Sequence, residues 1–263
     1  MTNKFYFAIL LLTGLVLFSS CSRKGCTDPV ATNYDPDAKK NCCCEYTPAL
    51  ALKFNPTFDG QPFVLNQEYT EPSSGRKLKF TKVKYYISNV MVGTHALFSE
   101  DSYGHFQFNS DNSVFNAGHF PVGSHQQVSF QVGVDSVTNK QKLPSDFPAG
   151  HPLADTDLYW TWNTGYIFIK LEGMVDTTTV PDGSLDKVFV FHLGLDPIRK
   201  NIVLNVPVTG SEADKDPNEI TVSVKMEKFF NGVDLSTENN TQTMDNLPLA
   251  EKMANNIPLV FTK

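Results

Sequence analysis

Apolar and polar residues alternate over most of the chain beyond residue 48, the period expected of strands with one buried face. The clearest run is Val128, Phe130, Val132 and Val134, spaced by Ser129, Gln131 and Gly133. A longer run covers 78–92, with Val83, Tyr85, Ile87 and Met91 on one phase. Further strands are expected at 49–55, 159–171, 202–208, 220–230 and 257–261. Residues 188–193 are apolar on both phases, which predicts a central strand covered on both faces. Turn formers punctuate the runs, as at Pro181-Asp182-Gly183 and Thr209-Gly210. Only 246–255 has helical spacing: Asn246 suits an N-cap, Pro248 the first turn, and Leu249 and Met253 lie four apart. The pattern predicts an all-β body at 49–263, an antiparallel sandwich or barrel-like fold with one short C-terminal helix.

Residues 158–173 hold both tryptophans of the chain at the head of an alternating run. Trp160, Trp162, Tyr166 and Phe168 would line one side of an unbroken strand. Two readings stand side by side: a core built on large rings, or a site. His192 sits in the apolar run 188–193, where a buried imidazole needs either a backbone or carboxylate partner or a metal. His151 precedes the tryptophans in a Pro- and Gly-rich loop from which it could fold over them. His95, His105, His119 and His125 scatter between two strands, where two of them could converge. Met244 is a soft donor or a core residue.

The ends of the chain add a location. Lys4 followed by an apolar stretch to Phe18 reads as a secretory signal, and Phe18-Ser19-Ser20-Cys21 as a lipobox. Residues 1–20 are then removed, and Cys21 carries lipid that anchors the protein to an inner or outer bacterial membrane, periplasmic or surface-exposed. That segment holds one lysine, so the formal net charge of −6 becomes about −7. The acidic balance argues against nucleic acid as a partner. All five cysteines fall within 21–44, and in an oxidising compartment those after Cys21 read as disulfides. Residues 21–48 form a small Cys-rich module and linker. Asp28, Asn33, Asp35 and Asp37 within it are calcium-type oxygen ligands or simple turn formers. Cys26-Thr27-Asp28-Pro29 and Asn33-Tyr34-Asp35-Pro36 resemble a short repeat of bacterial surface proteins, and that resemblance implies a Cys26–Cys44 pair.

The chain carries no Gly-x-Ser-x-Gly elbow, P-loop, dinucleotide fingerprint or His-Glu-x-x-His helix, and its body has no cysteine nucleophile. The expectation is a binding protein and not an enzyme.

Several blocks in order carry a family resemblance. They are Phe58-Asp59-Gly60, Tyr85-Tyr86-Ile87-Ser88-Asn89, residues 128–136, the tryptophan segment, Phe191-His192-Leu193-Gly194, Met244 and Met253-Ala254-Asn255-Asn256. Together they resemble the MbnP-like family, methanobactin-associated copper-binding proteins of bacterial envelopes. The resemblance implies a β fold and a copper site near the tryptophans, used for metal capture or storage. It also implies oxidation of one tryptophan to kynurenine by a diheme peroxidase-like partner. Kynurenine offers an aryl amine and a ketone where indole offers only a donor, so His192, His151, Trp160 or Trp162 after oxidation, and Met244 form a copper-like donor set. The chain departs from the family at Asn55, where relatives carry histidine, and in the loop from Thr138 to Lys142. A surface binding or adhesion lipoprotein that holds a glycan or protein without metal is the alternative.

Overall fold

The computed structural model describes residues 22–97, 103–108, 113–162 and 165–263. The expected signal segment and the expected lipidation site Cys21 lie outside these residues. The chain divides into two units, ending and beginning at Glu45 and Tyr46, three residues ahead of the boundary expected from sequence.

In the first unit Cys26 is bonded to Cys44, and Cys42 to Cys43. The Asp and Asn side chains close turns: Asp28 accepts from Val30 N, Asp35 from Asp37 N, and Asn33 ties Cys43 O to Glu45 N. Asp35 and Asp37 also face Arg23.

The second unit is built on two curled sheets. Its strands are β1 (Ala49–Phe58), β2 (Lys77–Val92), β3 (Tyr103–Gln107), β4 (Val114–His119), β5 (Val128–Val132), β6 (Tyr159–Trp160), β7 (Gly165–Val175), β8 (Lys187–Gly194), β9 (Lys200–Leu204), β10 (Asn218–Lys225), β11 (Asn240–Thr241) and β12 (Phe261–Thr262), with several two- and three-residue pieces besides. The larger sheet is organised on β2, which pairs with β7 over Leu78–Tyr85, with β5 over Ile87–Val92 and with β3 over Lys84–Ser88. The smaller sheet centres on β1, which pairs with β4 and β10. The β1–β10 pair is parallel, so the fold is mixed at that point and not antiparallel throughout.

One core fills the space between the sheets. Val83, Tyr85, Ile87, Val128, Phe130, Val132, Ile169, Leu171, Phe191 and Leu193 meet β1, β10 and the helix there, every one of them buried. Val128, Phe130 and Val132 face inward as alternation predicts. On β2 the phase breaks at Asn89, whose φ of 49° turns the strand, so Val90 and Val92 and not Met91 are buried. Phe54, Phe58, Phe80 and Phe261 pack mostly edge-to-face, the arrangement their ring quadrupoles favour.

Four further expectations are corrected. The strand expected at 188–193 is covered on both faces only toward its end: Val188 is exposed and Phe189 and Phe191 are buried in the core, while His192 on the outer face is mostly covered. Residues 202–208 break at Val206-Pro207 into β9 and a short strand. Of the strand expected at 257–261, residues 257–260 are helix, because the C-terminal helix α2 (Leu247–Val260) continues through Pro258, and Phe261 opens β12. Its start agrees with the sequence: Asn246 accepts from Leu249 N and Pro248 occupies the first turn. A second helix, α1 (Ser136–Gln141), stands where a loop was expected, capped by Asp135 accepting from Val137 N and Thr138 N.

Candidate functional site

The outer face of the larger sheet, opposite the core, carries the site. Segment 151–160 lies across it, built from two 3-10 turns, Pro152–Ala154 and Thr156–Leu158, before entering β6. Two tyrosines pin it: Tyr86 donates to Pro152 O and Tyr166 to Leu153 O. Leu153, Leu158 and Trp160 bury themselves against Tyr86, Val134, Tyr166, Ile167 and Phe168, a second apolar cluster separate from the main core.

Beside that cluster lies a network of charges. Asp157 accepts from Lys170 at 2.6 Å and faces Lys82 and Lys84, each at 3.1 Å. Asp155 accepts from Lys84 at 2.8 Å. Glu172 faces Lys170 at 3.5 Å and Lys82 at 3.8 Å. The lysine side chains of positions 84 and 170 are almost wholly buried. Burial works against the charge of Asp157, but its hydrogen bonds to Lys170, Lys84 and Lys82 outweigh that and hold its carboxyl far below the usual range. Burial likewise opposes the Lys84 ammonium, and Asp155 and Asp157 more than restore it, raising its pKa.

His192 belongs to this network. Its Nε2 lies 2.8 Å from Glu172 Oε1, one of the partners its position in the sequence required. This bond, ahead of the burial that opposes it, lowers the pKa of Glu172. With Nε2–H held by a carboxylate, the free lone pair of the neutral ring is on Nδ1, the arrangement common to metal-bound histidines.

Trp160 lies next along the same face. Gly194 is two residues beyond His192, about 7 Å away along the strand, and a Cβ placed on it would stand 2.6 Å from the Trp160 ring and 2.5 Å from Tyr166 O. Only glycine lets the indole lie on the strand here. Trp160 is 3% exposed, and its Nε1–H is buried with no hydrogen-bond acceptor among the described residues. Buried indole N–H groups ordinarily have one. Thr243 closes the other side, donating to His192 O at 2.8 Å and accepting from Gly194 N at 3.0 Å, which brings Met244 to the same strand edge.

The tryptophans do not lie on one unbroken strand. The chain reverses between Trp160 and Gly165, which pair across β6 and β7. Trp162 falls in the connection, 60% exposed, yet its ring centroid remains 5.9 Å from that of Trp160. Met244 is 55% exposed and is not a core residue. His151 stacks on Phe147 at 4.4 Å and lends Nδ1 to Leu153 N. It lines a cleft of about 730 Å³ together with Tyr103, His105, Asn116 and Asp155. Burial and the nearby Lys84 hold the His105 pKa below its ordinary value against the pull of Asp155. His105 Nε2 is 3.3 Å from Asp155 Oδ2 but out of line for a hydrogen bond. Among the described residues no group of three or more His, Cys, Asp and Glu side chains is arranged to hold a metal.

Sequence reasoning missed Lys84, Lys170, Asp155 and Asp157. Lysines at alternate positions in strands otherwise rich in apolar residues were the available signal; their carboxylate partners lie 71 to 75 residues away from Lys82 and Lys84.

A family model described as MbnP matches residues 47–245. The chain belongs to the MbnP family. Family membership relates it to methanobactin-associated extracytoplasmic proteins. Among solved structures, MbnP from Methylosinus trichosporium aligns with a TM-score of 0.50 at 18% identity, covering 70% of this chain and 78% of that one. At that identity the likeness concerns the MbnP fold. No curated protein matches the chain.

Proposed function

We propose that this MbnP-family protein binds copper on the outer face of β7 and β8, beside Trp160 and His192, and serves metal capture or storage outside the cytoplasm. The observation that carries the reading is the buried Nε1–H of Trp160, without an acceptor among the described residues, on a ring that lies against Gly194, two residues from an imidazole anchored by Glu172. Leaving such a donor unpaired costs on the order of 1–3 kcal/mol, which marks the ring as a position under constraint. Cleavage of the indole C2–C3 bond by peroxide adds two oxygen atoms and gives N-formylkynurenine; hydrolysis then releases formate and leaves kynurenine, in which that nitrogen is an aryl amine with a lone pair. His192 Nδ1, the aryl amine and the Met244 thioether are donors that copper accepts. Copper is the cargo; the chain's own task is orientation. Glu172 fixes the His192 tautomer, Gly194 admits the ring, and Thr243 holds the strand edge. A diheme peroxidase-like partner is the proposed catalyst of that oxidation, with peroxide as oxidant, and a lipid on Cys21 the proposed anchor.

The competing reading is a binding module without metal. It draws on the exposed ring of Trp162 and on the small number of convergent ligands among the described residues.

Peptide mass spectrometry and copper quantification on protein taken from its native envelope decide between them. Kynurenine at Trp160, with copper that is lost in His192→Ala, supports the copper reading. Two intact tryptophans and no copper would replace it with the binding-module reading.

A further inference from the structure

Two histidines far from the tryptophan hairpin in sequence come together just beyond the C-terminal end of β2. His95 pairs with Val92 just beyond the Gly93-Thr94 turn. His125 stands in a short strand, Gly123–His125, paired with Val208–Gly210. Their ring centroids are 5.7 Å apart and their planes lie at 84°. Two imidazoles bound to one ion at about 2.0–2.1 Å from each nitrogen have centroids roughly 4.5 to 6.4 Å apart, from a right-angle to a linear arrangement. The observed separation falls within that interval.

The second feature is the tautomer of His125. Its Nε2 is 2.9 Å from Pro121 O. A carbonyl can only accept, so Nε2 carries the hydrogen and Nδ1 carries the lone pair. Phe120 packs edge-on against the same ring at 5.7 Å and fixes its tilt. A histidine whose remote N–H is held by a backbone carbonyl, with its other nitrogen open, is oriented as metal-binding imidazoles are. Nδ1 faces Gly93, which has φ of 60°; a Cβ there would stand 3.3 Å from Nδ1, space that the glycine leaves unfilled. Its own N–H bonds to Gln127 O, which fixes the turn in place.

We propose that His95 and His125 form a second metal site, which takes a divalent first-row transition ion, copper(II) above all, through two imidazoles with water completing the shell. Imidazole pairs of this kind rank copper(II) above the other divalent ions of the row. His95 is exposed, so an ion at this site exchanges with solvent, which suits acquisition and not long-term retention. The site rests on these two rings alone and does not depend on the tryptophan-hairpin reading.

The test is a titration of the full chain with copper(II), read by calorimetry and by electron paramagnetic resonance. In the His192→Ala protein, which lacks the hairpin ligand, the expected result is one bound ion whose spectrum shows hyperfine splitting from imidazole nitrogen. His95→Gln and His125→Ala should each weaken it at least about tenfold. Because His95 is exposed, His95→Gln leaves the unfolding temperature unchanged and separates lost binding from lost folding. Gly93→Ala should weaken binding in the same direction by crowding Nδ1. Equal copper affinity and an unchanged spectrum in the His95→Ala/His125→Ala protein would overturn the proposal. So would the absence of imidazole-bound copper in the His192→Ala protein.

Discussion

Replacing Asp157 by Asn removes the negative charge on which three lysines converge, and with it the tie between the 3-10 turns and the sheet. Lys170 is the most exposed to the loss in energetic terms: its side chain is 8% accessible and its shortest contact is Asp157, at 2.6 Å. Stranding a buried charge costs about 3–5 kcal/mol. Two facts reduce that here. Asp157 itself is 35% accessible, so water screens part of the interaction, and Glu172 and Asp155 remain near Lys170 and Lys84. The expected loss is about 2 kcal/mol, or roughly 4–8 °C in unfolding temperature for a body of this size. Urea unfolding at neutral pH, followed by tryptophan emission, reads it directly, since both indoles sit at the end of the affected segment. The pH dependence supplies a second check. The folded-state pKa of Asp157 lies below its unfolded value, so its stabilisation is complete above the unfolded pKa, about 3.9, and drains away as pH falls toward the folded pKa. Between about pH 4 and pH 2 the wild-type protein should therefore lose more stability than Asp157→Asn, and the two curves should approach each other. Lys84 has the opposite sign: its raised pKa stabilises below the unfolded value and is lost only as pH rises through the folded one. An Asp157→Asn protein with wild-type stability at pH 7 and an unchanged acid limb would refute the reasoning.

Gly194→Ala places a methyl 2.5 Å from Tyr166 O and 2.6 Å from the Trp160 ring; overpacking should cost about 1–3 kcal/mol and shift the emission of Trp160 to the red, and an unshifted spectrum would show that the ring does not lie on this glycine. Thr243→Val removes the bridge between His192 O and Gly194 N; a loss of about 1–3 kcal/mol in chemical unfolding is expected, with copper affinity falling alongside. Cutting the Cys26–Cys44 loop with serines, a separation of 18 residues, should cost the N-terminal unit about 3 kcal/mol; hydrogen exchange should rise across 22–45, while the cysteine-free body keeps its unfolding temperature.

The strand phases were legible wherever one face meets the core and the other meets water, as at Val128, Phe130 and Val132. They misled where a local backbone choice intervened. Asn89 enters the left-handed region and shifts the phase of β2, and no periodicity shows that. At 188–193 both phases are apolar, yet Val188 faces solvent, so composition overstated the cover. The helix at 257–260 reads as strand because its residues are apolar and its Pro258 suggests a break. The site divides in the same way. His192 and its need for a polar partner were readable from one lone imidazole in an apolar run, and Glu172 meets that need. The lysine–aspartate network was not, because its members meet only after β2, β7 and the 3-10 turns are assembled. The tryptophans stood out in the sequence, but their separation into a buried and an exposed ring depends on a reversal between 160 and 165 that alternation concealed.

The central claim is that copper binds between Trp160 and His192. A crystal structure of the protein from its native envelope, with an anomalous difference map collected at the copper edge, tests it most directly. The account predicts a peak about 2 Å from His192 Nδ1, on the Trp160 side of Gly194, with the opened ring of residue 160 among its ligands. A map with no copper within reach of His192, and an intact indole lying on Gly194, would contradict it.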